Sequence, residues 1–109
     1  MNIRNIKTKP EFDAELGAGG KRLALFYSSW CPFCTAFLPA FTKTAAGSPS
    51  LFIKVCIDDL SALEDSLSVE VVPTVLFFKD GKLKKRLDGA PGAGLTEEKL
   101  AAFINSCGA

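Results

Sequence analysis

A continuous apolar run, from Leu23 to Tyr27, constrains the fold of this chain more than any other feature of its sequence. A run of strand length without polar alternation is typical of a parallel strand that is buried on both faces of a sheet. The run breaks at Ser28-Ser29, and the apolar spacing that follows predicts a helix from Cys31 to Ala46, with Pro39 in its middle. A buried strand that leads at once into a helix indicates an α/β fold.

Apolar spacing and turn signals predict the other elements of that fold. They are a strand at 3–5, a helix that begins after Thr8, a strand at 51–57, a helix at 60–67, strands at 75–78 and 83–87, and a helix that begins after Thr96. Turns are expected at 47–50 and 89–94, and Asp80-Gly81 is the strongest hairpin signal. The order β-α-β-α-β-α-β-β-α predicts a central mixed sheet with a parallel half and a C-terminal antiparallel hairpin, flanked by helices on both faces.

Composition and charge limit the classes of function. The 109 residues are 48% hydrophobic and 23% charged, which fits a single globular domain over 1–109. A formal charge of +1 is too balanced to favour nucleic acid or an anionic membrane as a partner. No run approaches the roughly 18 apolar residues that span a bilayer. We therefore expect a soluble, cytoplasmic and monomeric protein. The basic cluster Lys82, Lys84, Lys85 and Arg86 is expected to form a solvated edge strand rather than a binding patch.

The pair Cys31 and Cys34 carries the chemistry that the sequence favours. Cys31 falls where the buried strand gives way to the helix, so free N–H groups and the positive end of the helix dipole would stabilise a thiolate there. Pro32 suits the first turn because it has no N–H to satisfy. Cys34 lies one turn further in, within reach of the first sulfur, and should be the more buried of the two. Cys31 is then the nucleophile that attacks a substrate disulfide, and Cys34 resolves the mixed disulfide without any cofactor.

A metal site is the alternative interpretation of Cys-x-x-Cys, because zinc and iron–sulfur centres use the same spacing. The chain has no histidine, so a zinc site would need four cysteines or a second subunit. The other two, Cys56 and Cys107, fall in a predicted buried strand and near the end of the last helix. We expect them to be small buried hydrophobic side chains, and we expect no metal.

The sequence resembles the thioredoxin family over nearly its full length. The resemblance rests on separated features, which are Trp30-Cys31-x-x-Cys34, Pro39, Val72-Pro73-Thr74, Phe78-x-x-Gly81 and Gly89. It implies a thioredoxin fold in which a cis Pro73 lies against the dithiol, Gly89 lies beside the active site, and the backbone of Val72 pairs with a bound substrate as an added strand. It also implies exchange with protein disulfides, and an electron donor such as a thioredoxin-reductase-like protein.

Two departures separate the chain from typical thioredoxins. The family carries a buried aspartate in the strand before the active site, where it helps to deprotonate the second cysteine, and Leu25 stands at that position here. Lys54 matches the lysine that accompanies this aspartate in the family. Without that carboxylate, Lys54 either pairs with Asp58 or extends its amino group to solvent.

The second departure is the inner pair of the motif. Pro32-Phe33 replaces the family's usual Gly-Pro and resembles the active site of glutaredoxins, so we expect an altered redox potential.

An apolar docking patch is expected around an exposed dithiol. Trp30 and Phe33 flank the pair, and the residues that would complete the patch are Val72, Pro73, Ala90 and Pro91. We therefore predict a thiol–disulfide oxidoreductase, specifically a thioredoxin-like protein disulfide reductase. Two alternatives remain open: a glutathione-dependent, glutaredoxin-like reductase, and a redox-inactive thioredoxin-like domain that binds a partner through the same patch.

Overall fold

The computed structural model of the chain describes residues 3–47, 51–58, 60–90 and 94–108. Most of the predicted turn at 47–50, the middle of the loop at 89–94, and Pro91 of the predicted docking patch therefore lie outside the described residues. Within the described ranges, no helix is long and apolar enough to cross a membrane.

The elements follow the predicted order. They are β1 (Arg4–Ile6), α1 (Lys9–Gly17), β2 (Lys21–Tyr27), α2 (Pro32–Ala45), β3 (Phe52–Cys56), α3 (Ser61–Ser66), β4 (Thr74–Lys79), β5 (Lys82–Asp88) and α4 (Glu97–Cys107). Thr8 and Thr96 cap α1 and α4, as expected. The predicted bounds differ from these by one or two residues, as in β2, which begins at the charged Lys21 rather than at the apolar Leu23.

The sheet has the strand order β1-β3-β2-β4-β5, which confirms the predicted mixed architecture. Strand β2 lies at its centre, parallel to β3 and antiparallel to β4. At the β4–β5 hairpin, Asp80 and Gly81 both have positive φ, 52° and 82°, as the tight turns that suit twisted strands require. Strand β5 forms an edge of the sheet, and Lys82, Lys84 and Lys85 are exposed on it, as expected for a solvated edge. The expectation is wrong for Arg86, which is half-buried because its guanidinium donates to the carbonyls of Leu67 and Ser68.

Helices cover both faces of the sheet. On one face, Phe26 of β2 packs with Phe12 of α1 and with residues of α3. On the other face, Leu25 belongs to the cluster that includes residues of α2 and α4. Phe41 of α2 meets Phe52 edge to face, with ring centroids 5.3 Å apart. These buried aromatic contacts hold α2 on the sheet, and they thereby fix the position of its first turn.

Candidate active site

The first turn of α2 carries the dithiol. Cys31 is the N-cap residue and Pro32 begins the helix, so the predicted junction between strand and helix is confirmed. The N–H of Cys31 donates to the carbonyl of Ser28 at 3.3 Å, and the N–H of Thr35 donates to the carbonyl of Cys31 at 3.1 Å. No side chain caps the helix. The N–H groups of the first turn therefore remain available to a negatively charged sulfur.

Both sulfurs lie below the surface. Cys34 is 3% exposed and Cys31 is 6% exposed, and neither forms a disulfide. The predicted order of burial is confirmed, but the expectation of an exposed dithiol is wrong. The thiol of Cys31 faces the backbone of Val72, donating to its carbonyl at 3.7 Å, and this contact with the neighbouring loop accounts for part of its burial.

The loop before β4 lies against the dithiol. The peptide bond between Val72 and Pro73 is cis, as the resemblance implied. Pro73 is buried and Val72 is half-buried. Pro73 therefore adds little to an exposed patch, contrary to expectation, because it is covered on one side by Gly89. A Cβ on Gly89 would collide with the carbonyl oxygen of Pro73, so only glycine allows this approach.

Two aromatic side chains flank the dithiol at the surface. Trp30 is 78% exposed and Phe33 is 40% exposed. Ala90 is half-buried. Gly94, for which the sequence predicts only a place in the turn at 89–94, packs against Phe33: its φ is +70°, and a Cβ there would lie 3.0 Å from the Phe33 Cβ. The exposure predicted for Trp30 and Phe33 is confirmed.

Leu25 leaves the buried side of the dithiol without a carboxylate. It is completely buried in the core beneath α2. Lys54 lies opposite it in β3 and is half-buried. Within the described ranges, Lys54 makes no ion pair with Asp58, so that predicted option is wrong. Asp58 lies beyond the end of β3, which the structure ends at Cys56.

Asp58 instead binds the segment between β2 and the dithiol, a role that sequence reasoning missed. Its Oδ1 accepts hydrogen bonds from the Ser28 hydroxyl and the Ser29 N–H, each at 3.1 Å, and its Oδ2 accepts one from the Ser29 hydroxyl. These bonds, led by the Ser29 hydroxyl, lower the pKa of Asp58. In the sequence, Ser28-Ser29 marks only the end of a strand, and Asp58 lies about 30 residues further along the chain, so no local pattern signals their contact.

The two sulfurs differ in their surroundings. Burial raises the pKa of Cys34 to about 12, with the Cys31 thiol and the charge on Asp58 adding to the shift and a hydrogen bond from the backbone of Ser28 opposing it. Cys34 is thus a protonated thiol at neutral pH, whereas Cys31 stands at the helix N-terminus. This asymmetry suits a pair in which one sulfur attacks first and the other follows.

The remaining cysteines lie apart from the dithiol. Cys56 and Cys107 are both half-buried, so the expectation that they are buried hydrophobic residues is wrong. Cys56 lines a surface cavity with Tyr27 and Asp58, and Cys107 packs at the margin of the core under α4. Across the described part of the chain, no group of three or more His, Cys, Asp or Glu residues is arranged to hold a metal ion.

Comparison with known proteins gives consistent results. The model of the family described as Thioredoxin matches residues 4–106. The chain is 34% identical over 100 residues to a thioredoxin of Geodia cydonium, covering 88% of this chain and 94% of that one. It is 32% identical over 97 residues to a thioredoxin of Mycoplasmoides gallisepticum, covering 87% and 97%. A solved poplar thioredoxin h is 27% identical, with a TM-score of 0.83 over 98% of this chain and 96% of that one. These similarities do not favour the glutaredoxin-like or redox-inactive alternatives.

Proposed function

Because the chain belongs to the thioredoxin family and is a thiol–disulfide oxidoreductase, we propose that it acts as a reductant of protein disulfides, with Cys31 as nucleophile and Cys34 as resolving thiol. The observation that carries the proposal is the position of Cys31, which lies at an uncapped helix N-terminus against the Val72 carbonyl. Cys34 lies one turn inside, where it is more buried.

The reaction consists of two thiol–disulfide exchanges. The Cys31 thiolate attacks one sulfur of the substrate disulfide, so that a mixed disulfide forms and the other substrate sulfur leaves as a thiolate that takes up a proton. Cys34 then loses its proton and attacks the Cys31 sulfur. The Cys31–Cys34 disulfide forms and the second substrate thiol is released. Two electrons have passed from the dithiol to the substrate, and a donor must return them.

Substrate binding would use the surface around the dithiol. Trp30 and Phe33 offer exposed apolar area, and the backbone beside Val72 would pair with an extended substrate segment as an added strand. Pro73 and Gly89 shape the floor of this groove through their close contact. Lys54 and Leu25 would not contact substrate; they would form part of the surroundings of the buried Cys34 thiol.

The cellular setting that we propose follows from the family. The protein would act in the cytoplasm as a monomeric single domain over 1–109, with protein disulfides as substrates and a thioredoxin-reductase-like protein as electron donor. The balanced charge of +1 supports a role without nucleic acid or membrane as partner.

The reduction potential of the Cys31–Cys34 pair tests the proposal. The chain has a single tryptophan, Trp30, so its fluorescence can follow oxidation in glutathione or dithiothreitol buffers. A value of about −270 mV would indicate a reductant, whereas about −120 to −180 mV would indicate an oxidase or isomerase. Absence of a two-electron transition would contradict the dithiol mechanism.

A donor assay tests the partner. The oxidised protein is offered either glutathione or a thioredoxin reductase with its nicotinamide cofactor, and the appearance of free thiols is followed. Reduction by the reductase is expected. Reduction by glutathione alone would contradict the proposed donor and would favour a glutaredoxin-like cycle.

A further inference from the structure

Asp58 is coupled to the dithiol through two serines. Its carboxylate holds the hydroxyls of Ser28 and Ser29 and the N–H of Ser29. Ser28 is only 2% exposed, and its carbonyl accepts the N–H of Cys31 at 3.3 Å. The carboxylate is therefore separated from the N-cap of α2 by a single hydrogen-bonded residue.

The charge on Asp58 acts on the same region. Its side chain is exposed and its pKa is lowered, so it is ionised at neutral pH. Ser28 and Ser29 also line a cavity of about 250 Å³ with Cys34, so the resolving thiol lies beside the serine segment. A second negative charge at Cys34 would be opposed by the first.

Asp58 does not replace the missing carboxylate as a base. The pKa of Asp58 is lowered by its serine hydrogen bonds, while burial raises the pKa of Cys34 to about 12, so proton transfer from thiol to carboxylate is strongly unfavourable. The effect of Asp58 on Cys34 must instead be positional and electrostatic.

We propose that Asp58 is a positioning residue of the exchange reaction: it fixes the Ser28-Ser29 segment beside the dithiol, and its charge adds to the effect of burial in opposing the Cys34 thiolate, so that resolution of the mixed disulfide is slower at neutral pH than it would be without Asp58. This inference rests on the proposed role of Cys34 as the resolving thiol. Its consequence is a longer lifetime of the complex between Cys31 and the substrate.

Other charged and titratable groups surround the segment, and the test must separate them from Asp58. Lys7, Tyr27 and Cys56 line one cavity beside Asp58 and Ser29, and Glu64 and Glu70 line another beside Asp58 and Ser28. On the face of the sheet under α2, Lys54 is the charged residue of β3 opposite Leu25. Of these groups, Asp58 alone accepts hydrogen bonds from both serines.

The resolution step can be measured directly. Cys31 is converted to a mixed disulfide with thionitrobenzoate, and release of the coloured thiolate by Cys34 is followed by stopped flow between pH 5 and pH 10. Asp58→Asn keeps the size of the side chain and removes its charge. Each unit by which the pKa of Cys34 falls raises its thiolate fraction about tenfold. The less basic thiolate is also a weaker nucleophile, which lowers the rate of attack about threefold. A fall of one unit would therefore speed release at pH 7 about threefold, and we expect Asp58→Asn to speed release by up to that factor and to shift the pH profile to lower pH.

Three controls accompany the variant. Asp65→Asn removes the same charge from an exposed site on α3 that lines neither cavity, and it should match the wild type. Ser29→Ala removes a hydroxyl of the segment without changing the charge, so its pH profile should stay close to that of the wild type. Cys34→Ser should release no thionitrobenzoate. Release at the wild-type rate from Cys34→Ser would contradict the proposed function itself.

If Cys34→Ser is inactive but the pH profile of Asp58→Asn coincides with that of the wild type or lies at higher pH, the role of Asp58 is contradicted while the proposed function stands. If Asp58→Asn does not fold, Asp58→Ala provides the same loss of charge, and the same two outcomes decide.

Discussion

Leu25 and Lys54 lie opposite each other in the parallel pairing of β2 and β3, with the leucine completely buried and the lysine half-buried. Thioredoxins typically carry a carboxylate at the position of Leu25, and a lysine beside it would then have an ionic partner. Here the partner is a hydrocarbon side chain in the core beneath α2. At this position of the sheet, the chain therefore has a lysine opposite Leu25 but no carboxylate that could deprotonate Cys34.

Leu25→Asp tests the importance of that base. A carboxylate beside Lys54 should accept the proton of Cys34, so we expect turnover with a protein disulfide at pH 7 to rise about tenfold, below the roughly 10²–10⁴-fold of a well-aligned base. Because an apolar side chain is lost from the core, the free energy of unfolding should fall by about 2–5 kcal/mol. Insulin reduction and urea unfolding measure the two effects.

Leu25→Asn is the matched control, because it introduces a polar side chain of the same size without a base. A folded Leu25→Asp protein that turns over no faster than Leu25→Asn would remove the role assigned to the missing carboxylate.

The sheet and its helices could be predicted because local signals agreed with the global fold. Leu23 to Tyr27 is a buried run in a central strand, and Asp80-Gly81 sits in the left-handed conformations that its hairpin needs. The strand ends were less predictable. Lys21 and Arg22 are polar, and they belong to β2 because their backbones pair with β4, which no side-chain pattern reveals.

The site could be predicted only in part. Cys31, Cys34 and Pro73 stood out because each belongs to a short motif. The bonds of Asp58 to Ser28 and Ser29 join residues about 30 positions apart, and they depend on how the loops after β2 and β3 meet at one edge of the sheet. Similarly, the half-burial of Cys56 depends on which groups surround the end of its strand.

Trp30→Ala tests substrate docking. The side chain is 78% exposed, so its loss should leave the free energy of unfolding within about 0.5 kcal/mol of the wild type. If it contacts substrate, kcat/KM for a protein disulfide should fall about 3- to 10-fold, which corresponds to the loss of about 1 kcal/mol of interface binding. Leu83→Ala is the control, since Leu83 is 39% exposed on β5, away from the dithiol. Equal losses in both variants would argue against a docking role for Trp30.

The pH dependence of stability tests the environment of Cys34. Its pKa is raised from 9.0 to about 12, so the native state keeps a proton that the unfolded chain releases. The resulting stabilisation is complete below pH 9 and is lost as the pH rises toward 12. Urea unfolding of the reduced protein from pH 8 to pH 11 should therefore show a decline that is shallower in Cys34→Ala. Parallel curves for the two proteins would show that Cys34 is not the group responsible.

Gly89→Ala tests the contact that shapes the groove. The new Cβ would collide with the carbonyl oxygen of Pro73, and because this atom belongs to buried backbone, the loop before β4 must move. Overpacking of this kind costs about 1–3 kcal/mol, so we expect that loss in urea unfolding together with a reduced kcat/KM for protein disulfides. Gly17→Ala is the matched control: a Cβ there meets nothing within 4 Å, and the change at the end of α1 should be neutral or stabilising by up to about 1 kcal/mol. If Gly89→Ala is as stable and as active as Gly17→Ala, the close approach of Gly89 to Pro73 does not support the site.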